Sequence, residues 1–118
     1  MTLADQKGSQ QLEPWIAHVY HRFGKDIDID GVADVSSVPR PLQGMVRFGF
    51  RAQLNYSVML DWDGSVARAF DYRKGVANVY VINRNGVIIK RLGGAATRDG
   101  LLELTQAIDR AIRVSAGG

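Results

Sequence analysis

Asn78-Val79-Tyr80-Val81-Ile82-Asn83-Arg84-Asn85-Gly86-Val87-Ile88-Ile89-Lys90-Arg91-Leu92 is the stretch on which the fold turns. β-Branched and aromatic side chains crowd residues 78–82, which predicts a strand. The Asn85-Gly86 pair favours the positive backbone angles of a tight turn, so residues 87–92 are expected to return antiparallel to that strand. Outward toward the C-terminus, Gly93 and Gly94 lead to Thr97, whose hydroxyl suits a helix N-cap. Leu101, Leu104, Thr105, Ile108, Ala111 and Ile112 then share one helical face. Asp99 in the first turn and Arg110 and Arg113 near the end complement the helix dipole. Residues 115–118 are expected to fray.

Outward toward the N-terminus, residues 57–60 predict a short strand and residues 64–70 a short helical or extended connection. After Pro39 and Pro41, the positions Leu42, Met45, Val46, Phe50 and Leu54 trace a helical face that Gly44 and Gly49 weaken. Residues 26–35 alternate Ile27 and Ile29 with aspartates before Val32, Ala33 and Val35, as in a strand whose second half is the more buried. Leu12, Trp15, Ile16, Val19 and Phe23 form the stripe of an amphipathic helix over 10–23, with Ser9 as N-cap and Gly24 as stop. Pro14 lies inside that stripe, and its missing N–H is expected to kink the first turns or delay the helix start, with a bend there. Helix, strand, helix, strand, hairpin and helix in this order imply an α/β sheet covered by helices on both faces.

The 118 residues, 46% hydrophobic and 23% charged, suffice for one core and make a single domain over 1–118 the expectation. Fifteen Lys and Arg against twelve Asp and Glu leave a charge of +3 with no basic stripe, so no nucleic-acid face is expected. There is no cysteine, which excludes disulfides, thiolate metal sites and thiol redox chemistry by this chain. No run approaches the roughly 18 apolar residues of a membrane span, and residues 1–7 lack the pattern of a signal peptide. A cytoplasmic protein without a membrane partner is the expectation, the alternative being a natural start upstream of Met1.

Val58-Met59-Leu60-Asp61-Trp62-Asp63-Gly64-Ser65-Val66 resembles the first motif of the haloacid-dehalogenase phosphatases, in which one carboxylate attacks phosphorus and a second moves the proton. Only 54 residues follow Gly64, with no acidic pair to complete a magnesium site, so a polar turn after a strand is expected. His18 and His21 lie three apart on the first helix, but no third ligand is placed beside them and solvated histidines are expected. Asp28 and Asp30 read as an exposed strand face. Trp15 and Trp62 read as core or rim packing.

Tyr56-Ser57-Val58-Met59-Leu60-Asp61-Trp62-Asp63-Gly64-Ser65-Val66-Ala67-Arg68-Ala69-Phe70 resembles a segment of the redoxin branch of the thioredoxin-like superfamily. The resemblance continues through Gly75-Val76-Ala77-Asn78-Val79-Tyr80-Val81-Ile82-Asn83-Arg84-Asn85-Gly86-Val87-Ile88 and Gly94-Ala95-Ala96-Thr97. It gives Asp61 and Asp63 a non-catalytic setting. It implies a thioredoxin-like α/β/α sandwich with a central mixed sheet and a truncated first strand, because only residues 1–5 precede the family's active-site helix. A short central strand would leave neighbouring backbone groups unpaired, and a homodimer or a mobile N-terminus is expected to follow.

Laid on the family pattern by Pro14, Gln6 and Ser9 occupy the positions of the two redox cysteines, and Ala77 that of the cis-proline. Thiol–disulfide exchange needs sulfur, so the resemblance implies the fold without the activity. The first functional expectation is a non-catalytic module that binds a protein or peptide through Gln6, Lys7, Gly8 and Ser9 on one side and Val76, Ala77 and Asn78 on the other. The alternative is an enzyme of another kind that holds an anion or thiol peptide at the helix start, with Lys7, the Ser9 hydroxyl and free backbone donors. Neither a cofactor nor a metal is expected.

Overall fold

A computed structural model describes residues 1–44 and 57–117. In chain order they form β1 (Thr2–Ala4), α1 (Gln6–Ser9), α2 (Leu12–Phe23), a 3-10 turn (Gly24–Asp26), β2 (Asp30–Asp34), a second 3-10 turn (Arg40–Leu42), β3 (Ser57–Asp61), α3 (Ser65–Ala69), β4 (Asn78–Ile82), β5 (Ile88–Gly93) and α4 (Arg98–Gly117). The strands make one mixed sheet in the order β3-β2-β1-β4-β5. β1 runs parallel to β2 and β2 to β3, whereas β1–β4 and β4–β5 are antiparallel.

Alternation along the strands sends side chains to two separate cores. Ala4, Val79 and Val81 meet Leu12, Trp15, Val19 and Phe23 of α2 and Leu104, Ala107 and Ile108 of α4 on one face. Leu3, Val32 and Tyr80 point the other way, against Ala67 of α3, with Val66, Phe70 and Tyr72 packed around them. The α/β/α sandwich expected from the element order is therefore present, with α2 and α4 sharing one face.

β1 is short, three residues against five in β2 and β4. It is nevertheless paired on both sides: Thr2, Leu3 and Ala4 lie opposite Gly31, Val32 and Ala33, and Thr2 and Leu3 also oppose Val79 and Asn78. Met1 prolongs the ladder by exchanging two 2.7 Å hydrogen bonds with Tyr80. At these positions the sheet is closed, whereas beyond Met1 the short strand is adjoined by a cavity lined by residues 26–30 and 79–84.

The helix expected over 10–23 starts late, at Leu12, and runs unbroken to Phe23, the delayed start that Pro14 allowed beside a bend. A helix that continued from α1 would press the Pro14 ring against the carbonyl of Gln10, so the chain interrupts itself at residues 10–11 and restarts at Leu12. Pro14 then sits in the first turn, where its missing N–H has no helical partner to lose. Ser9 ends α1 and gives its hydroxyl to the Gln6 carbonyl at 2.7 Å instead of capping α2. Gly24 stops α2 as expected, at φ 56°.

In the hairpin, only Gly86 takes a positive φ. The Gly86 N–H reaches the Asn83 carbonyl at 3.0 Å, and the Asn83 side chain accepts from Asn85 and Val87 N–H, so a longer turn closed by one left-handed glycine replaces the two-residue turn. β2 begins four residues later than expected, Ile27 and Ile29 packing against the core ahead of the ladder. Of the second expected helical face, Leu42 ends a 3-10 turn and is exposed. Met45, Val46, Phe50 and Leu54 lie outside the described residues. Thr97 caps α4 through a 3.0 Å bond from Gly100 N–H, and the helix runs on to Gly117, past the expected fraying point.

Candidate functional site

α1 begins where β1 leaves the sheet, and Asp5 joins that start to a distant loop. One carboxylate oxygen accepts from Gly8 N–H at 2.7 Å, as an N-cap does, and the other accepts from Gly75 N–H at 2.9 Å. Beside it Gly8 lies so close to the loop that a Cβ there would fall 2.2 Å from the Val76 carbonyl oxygen. Gln11 completes the clamp, its side-chain oxygen accepting from Ala77 N–H at 3.0 Å. The loop is braced from within by Asn78, which accepts from Arg73 N–H and donates to the carbonyls of Arg73 and Val76. Gly94 N–H holds the Ala77 carbonyl at 2.9 Å.

The two groups of expected site residues, far apart in sequence, thus meet in space. Their exposures differ. Gln6, Lys7 and Ser9 are exposed and Val76 is half-buried, whereas Gly8, Ala77 and Asn78 are buried. Gly8 contributes closeness of approach, and Ala77 and Asn78 hold the loop. No peptide bond among the described residues is cis. Asp5 and Gln11, which carry the clamp, were not among the expected residues. An aspartate three positions before Gly8 is a legible N-cap signal, but the partner of Gln11 lies 66 residues away and leaves no local trace.

The α1 start already carries a carboxylate, that of Asp5 on Gly8 N–H, and α1 is only four residues long. A carboxylate at that point repels a second anion and counts against the alternative anion-binding site.

Asp34 and Asp61 stand opposite each other at the carboxyl ends of β2 and β3, and both are buried. Asp61 accepts from Ala67 N–H at 2.9 Å and from Val66 N–H at 3.4 Å, and so anchors α3. Asp63 accepts from Ser65 N–H at 3.0 Å at the start of the same helix, and this N–H, with the Ser65 hydroxyl, holds its carboxyl below the usual range. Both carboxylates of the phosphatase-like motif are thus spent on backbone donors, as a polar turn requires. Asp34 accepts from Ser36 N–H, from the Ser36 hydroxyl and from Tyr72 OH. Burial opposes ionisation of Asp34, but these bonds and Lys74 outweigh it and leave its carboxyl below the usual range. Burial, then the bond to Asp34 and the charges around it, push the Tyr72 phenol well above its ordinary value.

Among the described residues, no group of three His, Asp or Glu side chains is arranged to hold a metal ion. His18 is not simply solvated: its Nε2 is 2.7 Å from the Thr105 hydroxyl and links α2 to α4, while His21 is exposed. Trp15 is a core residue, 2% exposed, with its indole N–H on the Gly94 carbonyl. No helix among the described residues is long and apolar enough to cross a membrane.

No protein-family model matches the chain, and no curated protein matches it in sequence. Its structure is similar to the crystal structure of a putative thiol:disulfide interchange protein, DsbE, from Chlorobium tepidum, with a TM-score of 0.68 and 17% identity over 94% of this chain and 77% of that one. The fold is thioredoxin-like. This thioredoxin-like chain has no cysteine anywhere. The thioredoxin-like frame is kept while the sulfur on which disulfide exchange depends is missing.

Proposed function

We propose that this protein is a non-catalytic thioredoxin-like module that binds a protein or peptide on the face formed by α1 and the 75–78 loop. The observation that carries this reading is the clamp. Asp5, Gln11 and the Gly8–Val76 approach hold two distant segments in one fixed arrangement, although the chain has no thiol for that arrangement to serve. A fixed surface binds without first losing the entropy of ordering itself.

The clamp also defines how the partner is recognised. Gly75 and Ala77 N–H are engaged inside the chain, so these two donors are not offered to an incoming strand. Contact falls to the exposed Gln6, Lys7 and Ser9 and to the half-buried Val76, with Gly8, Ala77 and Asn78 supporting them from beneath.

Selection of binders from a displayed library of random peptides, followed by amide chemical-shift mapping of the winners on the intact protein, tests the proposal. Shifts are expected at residues 6–9 and 75–76, and Lys7→Glu combined with Ser9→Tyr is expected to abolish binding while leaving the fold intact. Binders that map to another face, or that survive the double variant, would sink it.

A further inference from the structure

A second concave surface lies between the β4–β5 hairpin and α4, with a volume of about 790 Å³. On its helical wall Glu103, Gln106, Ala107, Arg110 and Ala111 recur at the spacing of one helix face. Arg84 enters from the hairpin turn, Lys90 from β5 of the same hairpin and Arg110 from α4, so the hairpin and the helix together bring three cations to one cleft. Glu103 is the one carboxylate among its described lining residues. Among the described residues Arg22 pairs with Asp109, and none of the three cleft cations has a carboxylate oxygen of a described residue within 4.0 Å. Lys90 is half-buried in spite of its charge.

Like charges gathered against a concave protein wall repel one another and raise the local positive potential. A ligand with several closely spaced negative charges relieves that repulsion at three points, and two of the three donors are guanidinium forks that match phosphate oxygens in pairs. Ile89, 40% exposed, and Ala107 line the same cleft and give it an apolar patch beside the cations. We infer that this cleft binds a small polyphosphate-type anion, held by Arg84, Lys90 and Arg110 and opposed by Glu103. It shares no residue with the face proposed above, so either assignment stands or falls alone.

Calorimetric titration of the intact protein at low ionic strength with pyrophosphate, tripolyphosphate and adenosine diphosphate, each separately, tests the inference. One saturable site is expected, weakened by added salt. Arg84→Ala, Lys90→Ala and Arg110→Ala are each expected to weaken it by roughly fivefold or more, the order of one charge contact in water. Glu103→Gln is expected to tighten it, a change that loss of structure does not produce. Tighter binding of adenosine diphosphate than of pyrophosphate would identify a nucleotide that also uses the Ile89 patch, and equal binding would identify the free polyphosphate. Non-saturable uptake would overturn the inference, as would loss of affinity in Arg22→Ala equal to that in Arg110→Ala.

Discussion

Gly8 and Gly100 each let two elements meet more closely than a side chain would allow, yet the junctions are made of different materials. At Gly8 backbone faces backbone: the missing Cβ would lie 2.2 Å from the Val76 oxygen, and Asp5 and Gln11 tie the two segments with polar bonds at the surface. At Gly100 a helix faces an aromatic ring: the missing Cβ would lie 2.9 Å from the Trp15 ring, inside the core, where indole N–H to Gly94 is the polar tie. A ring and a helix can slide by a few tenths of an ångström. A carbonyl already fixed by Asn78 cannot. Polar bracing is therefore expected to make the Gly8 junction the more rigid of the two.

Gly8→Ala breaks the comparison most directly. It is expected to destabilise the fold by about 3 kcal/mol or more, the upper end for overpacking, measured by denaturant unfolding. Gln11→Ala strips the acceptor from Ala77 N–H in a residue that is fully buried, and an unmet buried donor is worth about 1–3 kcal/mol. Hydrogen exchange at Ala77 is expected to rise well above that of its neighbours in this variant. Exchange unchanged there would mean that Gln11 does not hold the loop. Gly100→Ala gains about 1 kcal/mol of helix propensity against about 1–3 kcal/mol of overpacking, a net loss of about 1 kcal/mol. If it proves as damaging as Gly8→Ala, the core junction is the stiffer one after all.

Asp34 sharpens the contrast through pH. Its folded carboxyl titrates below the usual range, so its contribution to stability is complete above the unfolded value of about 3.9 and is lost as the pH falls through the folded one. Asp34→Asn is expected to be less stable at pH 7 and to lose less on going to pH 3, by urea unfolding at both. An acid limb as steep as that of the parent protein would acquit Asp34. The smallest effect belongs to Lys7→Ala, whose stability should stay within about 0.5 kcal/mol of the parent because the side chain is exposed.

What was legible in the sequence is what chain-local physics controls. Thr97 caps its helix, Gly24 stops another, and strand 78–82 follows from β-branched and aromatic crowding. Pro14 signals a bend or a late helix start, and the late start occurs because the steric conflict falls on Gln10, four residues earlier. The candidate face was found by resemblance, while the side chains that build it were missed, because the Gln11–Ala77 bond joins residues 66 apart. The cationic cleft escaped for the same reason: Arg84, Lys90 and Arg110 are unremarkable until the hairpin folds against α4.

β1 sits in the middle of the sheet between β2, which follows it closely, and β4, whose Tyr80 bonds Met1 across 79 positions of chain. At about 5–20 residues per second on the ribosome, several seconds pass between the emergence of the two partners. For that interval one edge of the nascent β1 has no strand to meet. The β4–β5 hairpin, by contrast, joins strands that leave the exit tunnel within moments of each other, whereas the ladder at the centre of the sheet waits for a partner 79 positions away.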